Sequence, residues 1–243
     1  TAAKVGGILA NNTFRATFLY DNLMIETNVI HAAYQNKVKK LLFLGSSCIY
    51  PKMAKQPMNE DALLSGYLET TNEPYAIAKI TGIKLCETYY EQYGCNFISA
   101  MPTNLYGPGE TYHPYRSANC KFCYHSLVDL PVTVFRNHIR SSCYIDDACS
   151  TLSNIVSNFK AGEIYNIGSN EKHTVEQLVE LIWKLTGAPQ SLITYADSEV
   201  LTTKSKSVDT TKAEGDLAHN PVWSLEKGLE ATIGWMRAFY GFG

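Results

Sequence analysis

The sequence predicts an α/β fold in which helices cover both faces of a parallel β-sheet, the doubly wound arrangement. Two short apolar runs, at residues 40–45 and 96–101, are typical of strands that are buried on both faces. Each run follows a longer segment, at 13–36 and 75–93, whose composition and spacing favour a helix. Helix and strand go on alternating through the second half, and this alternation is typical of parallel sheets.

The first two predicted helices have recognisable boundaries. Residues 13–36 contain neither glycine nor proline, and the polar residues at 11–13 are good helix N-caps. The second helix runs over 75–93, because Pro74 suits a first helical turn and Gly94 suits the position just beyond a helix end. The apolar residues that recur at helical intervals in the first helix are Phe14, Phe18, Ile25, Val29 and Ala33.

The second half adds further predicted elements around one polar segment. The segment at 192–209 is polar, and we expect it to cover a ligand or to lie on the surface. The predicted strands are 131–135 and 162–168, and the predicted helices are 146–158, 174–186 and 225–239.

The charge balance argues against a broad nucleic-acid-binding surface. The 243 residues include 21 Lys and Arg against 23 Asp and Glu, which gives a formal net charge of -2 at pH 7. A near-neutral balance provides no overall electrostatic footprint for DNA or RNA. No stretch approaches the roughly 20 apolar residues that cross a bilayer, and no charged-then-apolar leader opens the chain. We therefore expect neither a membrane protein nor a secreted one.

The cysteines predict reduced thiols in a cytoplasmic protein. There are 7 of them, an odd number scattered along the chain, which does not suit a disulfide framework. Cys120 and Cys123 form a C-x-x-C motif, but no second pair at metal-site spacing accompanies it. We expect two ordinary thiols there and predict no metal site.

Tyr75 and Lys79 are the first candidates for chemistry. They are four residues apart near the start of a predicted helix, so they share one face. An ammonium beside a phenol favours the phenolate, which makes the tyrosine a usable proton donor or acceptor. The Y-x-x-x-K spacing alone is weak, because a chain of this composition contains about one by chance.

Ser46 and Ser47 strengthen this hypothesis by their position. They follow the first predicted strand, and ligands of open α/β sheets bind at the carboxyl ends of strands. A serine there can hydrogen-bond a substrate carbonyl oxygen while Tyr75 protonates it; the structural alternative is that both serines only form a turn. No Gly-rich phosphate-binding turn follows a predicted strand near the start of this sequence.

Four strings of residues carry a resemblance to a known family. They are AAKVGG at 2–7, GSSCIYP at 45–51, NEPYAIAK at 72–79 and MPTNLYGP at 101–108. Over residues 1–114 the chain resembles the GDP-L-fucose synthases of the extended short-chain dehydrogenase/reductase family, which comprises NAD-dependent epimerases and dehydratases. The resemblance implies a Rossmann-like fold and an NADP-dependent 3,5-epimerase and 4-reductase of GDP-4-keto-6-deoxymannose that forms GDP-L-fucose.

The resemblance also assigns catalytic roles. Tyr75 would protonate the 4-keto oxygen, Ser46 would polarise it, and Lys79 would lower the pKa of Tyr75 and hold the nicotinamide ribose. Cys48 falls where the family has the thiol that removes protons beside the ketone. A free thiol has a pKa of about 8.5, so this role requires local activation.

Cofactor and substrate contacts follow from the same resemblance. Asn104 and Arg140 would bind the nucleotide sugar, since a guanidinium fork suits diphosphate oxygens. A surface or domain-interface role for Arg140 is an equal alternative. The residues expected to line the NADP, or alternatively NAD, are Leu44, Gly45, Ser46, Ser47, Tyr75, Lys79, Pro102, Thr103, Asn104 and Leu105.

The chain departs from the family pattern in two places. The family begins with a β-α-β-α-β segment that carries the Gly-rich turn, and we expect this segment, roughly sixty residues, to precede Thr1. In an ungapped comparison Ala118 stands where the family has the histidine that serves as the epimerase acid, with His113 nearby. From Tyr115 onward the chain is more similar to other nucleotide-sugar epimerases and dehydratases.

These expectations combine into one organisation and three hypotheses of function. We predict a partial NAD(P)-binding domain at 1–105 and a mainly substrate-binding region at 106–243, with 146–168 returning to the sheet. Besides the epimerase and reductase, the alternatives are an epimerase or dehydratase with tightly bound NAD, and an inactive fragment or non-catalytic binding subunit. The expected partners are a nucleotide sugar and a second copy of the chain, in a homodimer formed through the helices that start near Phe14 and Tyr75.

Overall fold

The computed structural model describes residues 3–197 and 203–242. Its helices are α1 (Ile8–Thr13), α2 (Arg15–Gln35), α3 (Glu73–Tyr93), α4 (Ala118–Leu127), α5 (Ile145–Ser157), α6 (Val175–Thr186), α7 (Thr211–Leu217) and α8 (Leu225–Tyr240). Its strands are β1 (Leu41–Leu44), β2 (Phe97–Pro102), β3 (Asn104–Tyr106), β4 (Val132–Phe135), β5 (Ile139–Tyr144), β6 (Ile164–Ile167), β7 (Lys172–Thr174), β8 (Ile193–Ala196) and β9 (Ser205–Lys206).

A three-stranded parallel sheet in the order β1-β2-β6 forms the centre of the first half. Side chains of β2 alternate between its faces: Phe97 and Met101 pack with α2 and α3, whereas Ile98 and Ala100 pack with α5 and α7. Because both faces are buried under helices, the strands need apolar residues at nearly every position. The predicted doubly wound α/β class is confirmed.

The second half packs α4, α6 and α8 around a separate core. Trp183 of α6 is fully buried at its centre and donates a hydrogen bond from its indole nitrogen to Pro189 O at 3.1 Å. Two further sheets border this core: β3-β5-β7 with β9 added to β5, and the pair β4-β8. Meanwhile α5 and β6 return to the central sheet, where β6 pairs with β2. The division into two domains at residue 105 stays a prediction.

Local signals place most helix ends correctly. Pro74 lies in the first turn of α3, and Gly94 ends this helix in the left-handed region with φ of 65°. Thr174 caps α6 through a capping box with Gln177. The expected capping of the first long helix by residues 11–13 is wrong. Those residues belong to α1, where the Asn11 amide instead hydrogen-bonds the carbonyls of the preceding glycines.

Two strands lie within the polar segment 192–209, for which the sequence predicted a surface position or a ligand-covering role but no strand. Strand β8 pairs with β4, and β9 pairs with β5 at the position of Arg140. Polar residues form strands here because neighbouring strands satisfy their backbone groups, which local composition does not reveal. Residues 198–202 lie outside the described residues.

Candidate active site

The carboxyl end of β1 begins the site. Gly45 directly follows the strand and is closely packed against α3. A Cβ atom at this position would lie 3.1 Å from Ile83 Cδ1. Ser46 then caps a short 3-10 turn over Ser47–Ile49, and its Oγ accepts a hydrogen bond from Cys48 N at 3.2 Å. The turn therefore orients Ser46 and Cys48 together at the end of the sheet, while Ser47 is buried beneath them.

Helix α3 brings Tyr75 to this turn. Burial raises the pKa of Tyr75, and the charges of Cys48 and Glu26 raise it further, while a hydrogen bond with Ser46 opposes the shift. The phenol is therefore held in its protonated form, which suits a proton donor. The pKa of Tyr75 is therefore raised overall, and the expected lowering of this pKa by Lys79 stays a prediction.

Lys79 is buried one helical turn after Tyr75. Its Nζ donates a hydrogen bond to Leu44 O at 2.9 Å and lies 2.8 Å from Glu26 Oε1 of α2. The ammonium also lies 4.9 Å from the centre of the Phe43 ring. The positive charge is thus balanced by Glu26, a residue that the sequence analysis missed because no spacing connects it to α3.

The charged side chain of Lys206 lies beside Cys48. Lys206 Nζ of β9 donates a hydrogen bond to Cys48 Sγ at 3.2 Å, across 158 residues of chain. This contact exists because β9 pairs with β5, which sets Lys206 level with Arg140. The polar run at 202–206 is visible in the sequence, but nothing in the run indicates which of its lysines meets the thiol.

Glu69 and Arg140 complete the charged surroundings. Glu69 accepts hydrogen bonds from Thr71 and, at 3.0 Å, from Thr203 N, so it ties its loop to the segment before β9. Although burial raises the pKa of Glu69, these hydrogen bonds and the charge of Lys206 bring it below its usual value. Burial lowers the pKa of Arg140, and the charges of Glu69 and Cys48 oppose this shift. The predicted substrate arginine therefore lies on the same side as the candidate thiol.

The two candidates for an epimerase acid both have exposed side chains. Ala118 is the first residue of α4, and its side chain is exposed. His113 is exposed as well, and its ring contacts Tyr115, with ring centres 5.6 Å apart. The structure brings Ser46, Tyr75, Lys79 and Cys48 together, and the role of an epimerase acid for either of the other two residues stays a prediction.

Comparisons with known proteins decide the family. The profile of the NAD dependent epimerase/dehydratase family matches residues 1–168. The chain is 43% identical to "GDP-L-fucose synthase" of Escherichia coli (strain K12), over 96% of this chain and 78% of that protein. The chain belongs to the NAD-dependent epimerase/dehydratase family. Members of this family are NAD(P)-dependent enzymes, so the expectation of an enzyme of this class is confirmed.

Two further relatives extend this result. "GDP-L-fucose synthase 1" of Arabidopsis thaliana is 44% identical over 96% of this chain and 74% of that protein. The solved structure of "MlghC, GDP-mannoheptose C4 reductase from Campylobacter jejuni with NADP bound" has a TM-score of 0.83 and 28% identity, over 98% of this chain and 80% of that one. The family resemblance thus continues beyond Tyr115 and covers nearly the whole chain.

The stretches expected to line the cofactor, and the residues near them, offer polar atoms that suit a polar ligand such as a dinucleotide. Thr103 Oγ1 and Asn72 Oδ1 are buried, and no described residue hydrogen-bonds to either atom. Gly168, directly after β6, lets Thr103 pack against its backbone, because a Cβ atom there would lie 3.1 Å from Thr103 Oγ1. Asn104 is exposed, with its amide 3.4 Å from Ser141 O, and Pro102 and Leu105 flank the same stretch.

Two further features concern membrane-spanning helices and metal-binding clusters among the described residues. In residues 3–197 and 203–242, no helix is both long and apolar enough to cross a membrane. The same residues contain no cluster of three His, Cys, Asp or Glu side chains that could hold a metal ion. Cys120 and Cys123 are buried free thiols on α4.

Proposed function

We propose that this enzyme is an NADP-dependent 3,5-epimerase and 4-reductase that converts GDP-4-keto-6-deoxymannose into GDP-L-fucose. The observation that carries the proposal is the single cluster in which Ser46, Tyr75 and Lys79 adjoin the Cys48–Lys206 pair. A ketone reductase needs the first group, and proton abstraction beside the ketone needs the second. The relatives named GDP-L-fucose synthase support the choice of substrate.

The reductase step uses residues at the end of β1 and in α3. Tyr75 donates its phenolic proton to the 4-keto oxygen, and Ser46 hydrogen-bonds that oxygen. NADPH, when bound, supplies the hydride. Lys79 holds a ribose hydroxyl of the cofactor, and Thr103 offers a buried hydroxyl to which no described residue hydrogen-bonds. Tyr75 suits its role because the raised pKa keeps the proton on the phenol until a ketone accepts it.

The epimerase step uses the thiol. Cys48 removes a proton from the carbon beside the ketone, and the ketone delocalises the resulting charge. Lys206 Nζ donates a hydrogen bond to Cys48 Sγ at 3.2 Å, so a cationic side chain lies beside the sulfur that would take the proton. Arg140 and Asn104 would bind the nucleotide sugar, with Lys206 and Glu69 beside Arg140.

A second candidate function is a 4-reductase that does not epimerise. Ala118 favours it, because inversion needs a proton donor opposite the base and alanine cannot supply one. The Campylobacter jejuni relative is named as a C4 reductase. Under this alternative the sugar is reduced with its neighbouring carbons unchanged.

One experiment separates the proposed function from all its alternatives. The full-length enzyme is incubated with GDP-4-keto-6-deoxymannose and NADPH, and oxidation of NADPH and the sugar product are followed together. Stoichiometric oxidation with GDP-L-fucose as product supports the proposal; oxidation with an uninverted product supports the 4-reductase. Turnover without net oxidation would support an enzyme with bound NAD, and absence of any turnover would support a non-catalytic role.

Assembly and location are further proposals. We expect a homodimer through α2 and α3, where Tyr20, Met24 and Ile77 expose large apolar side chains. A second copy of the chain would cover these residues, and light scattering of Met24→Lys should show a shift toward monomer. All seven cysteines are free, which fits a reducing, cytoplasmic environment.

A further inference from the structure

Glu26 is a buried carboxylate that the proposed mechanism does not use. It lies in the middle of α2, and only 3% of its surface is exposed. Neither of its carboxylate oxygens takes part in a well-aligned hydrogen bond with a described residue. Lys79 Nζ, 2.8 Å from Oε1, is nevertheless in ion-pair contact with it. Lys79 is therefore the partner of this carboxylate, through its positive charge and through an ammonium–carboxylate contact at hydrogen-bond distance.

Isolated charges are rarely buried, because the free energy lost with their hydration is much larger than the free energy gained from other contacts. Burial raises the pKa of Glu26, and the charge of Lys79 lowers it. The titratable groups that feel this carboxylate are Tyr75, Lys79 and Cys86, all on α3. A leucine or alanine would fill this helix face more favourably, so packing alone does not account for a glutamate here.

The position of the pair relative to β1 suggests its purpose. Lys79 has three N–H donors; one reaches Leu44 O at 2.9 Å, and the ammonium also faces Glu26. Leu44 is the last residue of β1 and directly precedes Gly45 and Ser46. The two contacts restrict the direction of the remaining donor, which Lys79 needs for the ribose.

We propose that Glu26 is a positioning residue of the reductase site, which acts by fixing the Lys79 ammonium against the end of β1. The inference rests on the proposed function, because it assigns Lys79 its part in ketone reduction. Glu26 itself touches neither substrate nor cofactor. Its effect on the reaction passes through Lys79, and this dependence makes the proposal testable.

The first test measures the coupling of the two residues without cofactor. Thermal midpoints are compared for Glu26→Gln, Lys79→Met and the double variant. Each single variant leaves one buried charge unpaired and should lower the midpoint by at least about 5 °C. The double variant should recover at least half of the summed loss. Purely additive losses would overturn the proposal.

The partly exposed pair Lys84–Glu87, with Nζ 2.6 Å from Oε2 on the same helix, is the matched control. Its corresponding variants, Lys84→Met and Glu87→Gln, should shift the midpoint by only about 1 °C and additively, since exposed ion pairs contribute little. This control separates the buried pair from any general effect of altered charge on α3.

The second test uses ketone reduction by the full-length enzyme. Glu26→Gln should lower kcat about 10-fold or more with little change in the KM for the nucleotide sugar, whereas in the Lys79→Met background it should change kcat less than about 2-fold. Glu26→Asp keeps the charge but not the shape and should be more active than Glu26→Gln, which keeps the shape only. A Glu26→Gln variant as active as Glu26→Asp, or equal losses of kcat in both backgrounds, would overturn the proposal.

Absence of reduction by the wild-type enzyme would instead contradict the proposed function. The thermal coupling would still report on the Glu26–Lys79 pair.

Discussion

Tyr75 shows at the scale of one residue how burial can serve a proton donor. Its phenol lies between Ser46 and the buried Glu26–Lys79 pair, and burial raises its pKa above the usual value. A raised pKa means that the phenol stays protonated throughout the neutral range. The role expected of Tyr75 is to give this proton to a ketone, not to take one from the substrate.

Replacing Tyr75 by phenylalanine should therefore remove ketone reduction selectively. We expect NADPH oxidation with a 4-keto sugar to fall about 10²–10⁴-fold, the usual range for loss of a positioned general acid. The ring remains, so substrate affinity in a calorimetric titration should change little. Turnover equal to that of wild type would remove Tyr75 from the mechanism.

The Cys48–Lys206 contact makes a separate prediction about proton abstraction. In heavy water without NADPH, deuterium should enter the sugar at positions 3 and 5, and Cys48→Ser should abolish this exchange. Lys206→Met should slow it about 10-fold or more, because the thiol loses its neighbouring positive charge.

Lys204→Met is the matched control for this exchange experiment, since Lys204 lies two residues away and is exposed. Exchange that is equally slow in both lysine variants would contradict the specific role of Lys206. Rapid exchange at both positions that survives His113→Ala would show that the alanine at 118 does not leave the site without an acid.

At the scale of elements, the contact of α3 with β1 determines where the candidate catalytic residues lie. Gly82 of α3 faces the ring of Phe43 on β1, and a Cβ atom on this glycine would lie 2.2 Å from Phe43 Cζ. Helix and strand can approach this closely only because residue 82 has no side chain. The same approach brings Lys79 within hydrogen-bond distance of Leu44.

Gly82→Ala should push α3 away from the sheet. We expect a loss of about 1–3 kcal/mol in the free energy of unfolding, typical of overpacking, together with a lower kcat because Tyr75 and Lys79 move with the helix. Gly234→Ala in α8 is the control: nothing lies within 4 Å of its added Cβ, so the variant should be as stable as wild type or more so. Urea unfolding of both variants would contradict this account if Gly82→Ala were the more stable.

At the scale of the whole molecule, a buried polar network joins the second-half elements. His173 of β7 lies 3.3 Å from Ser142 Oγ of β5, which also accepts a hydrogen bond from Asn119 of α4. Burial and, to a smaller extent, the charge of Arg140 lower the pKa of His173 from 6.5 to about 4. The folded protein therefore keeps this imidazole neutral.

Stability should decrease as the pH falls from 6.5 toward 4. Between about pH 6.5 and pH 4 the unfolded chain binds a proton at His173 and the folded chain does not. Protonation therefore favours unfolding across this range. The loss attributable to His173 is about 3 kcal/mol at most. Thermal unfolding of His173→Gln should show a weaker dependence on pH in this range, whereas the exposed His113→Gln should match wild type. An unchanged pH dependence in His173→Gln would contradict this assignment.

Local sequence determined a large part of this protein. The apolar runs of β1 and β2, Pro74 and Gly94 around α3, and the apolar pattern of α6 are short-range signals, and the structure contains the elements that they predict. The spacing of Tyr75 and Lys79 and the position of Ser46 after a strand also point to one site. These features are predictable because helix faces, strand ends and caps depend on neighbours within a few residues.

Only the tertiary structure decided which charges surround that site. Lys206 meets Cys48 because β9 adds to β5, and Glu26 meets Lys79 because α2 packs against α3. No local pattern encodes these contacts, since each joins residues that are distant in the chain and depends on how whole elements pack. The strands within 192–209 escaped prediction for the same reason: their pairing partners lie elsewhere in the fold. The sequence determines the reacting groups, and packing determines their charge environment.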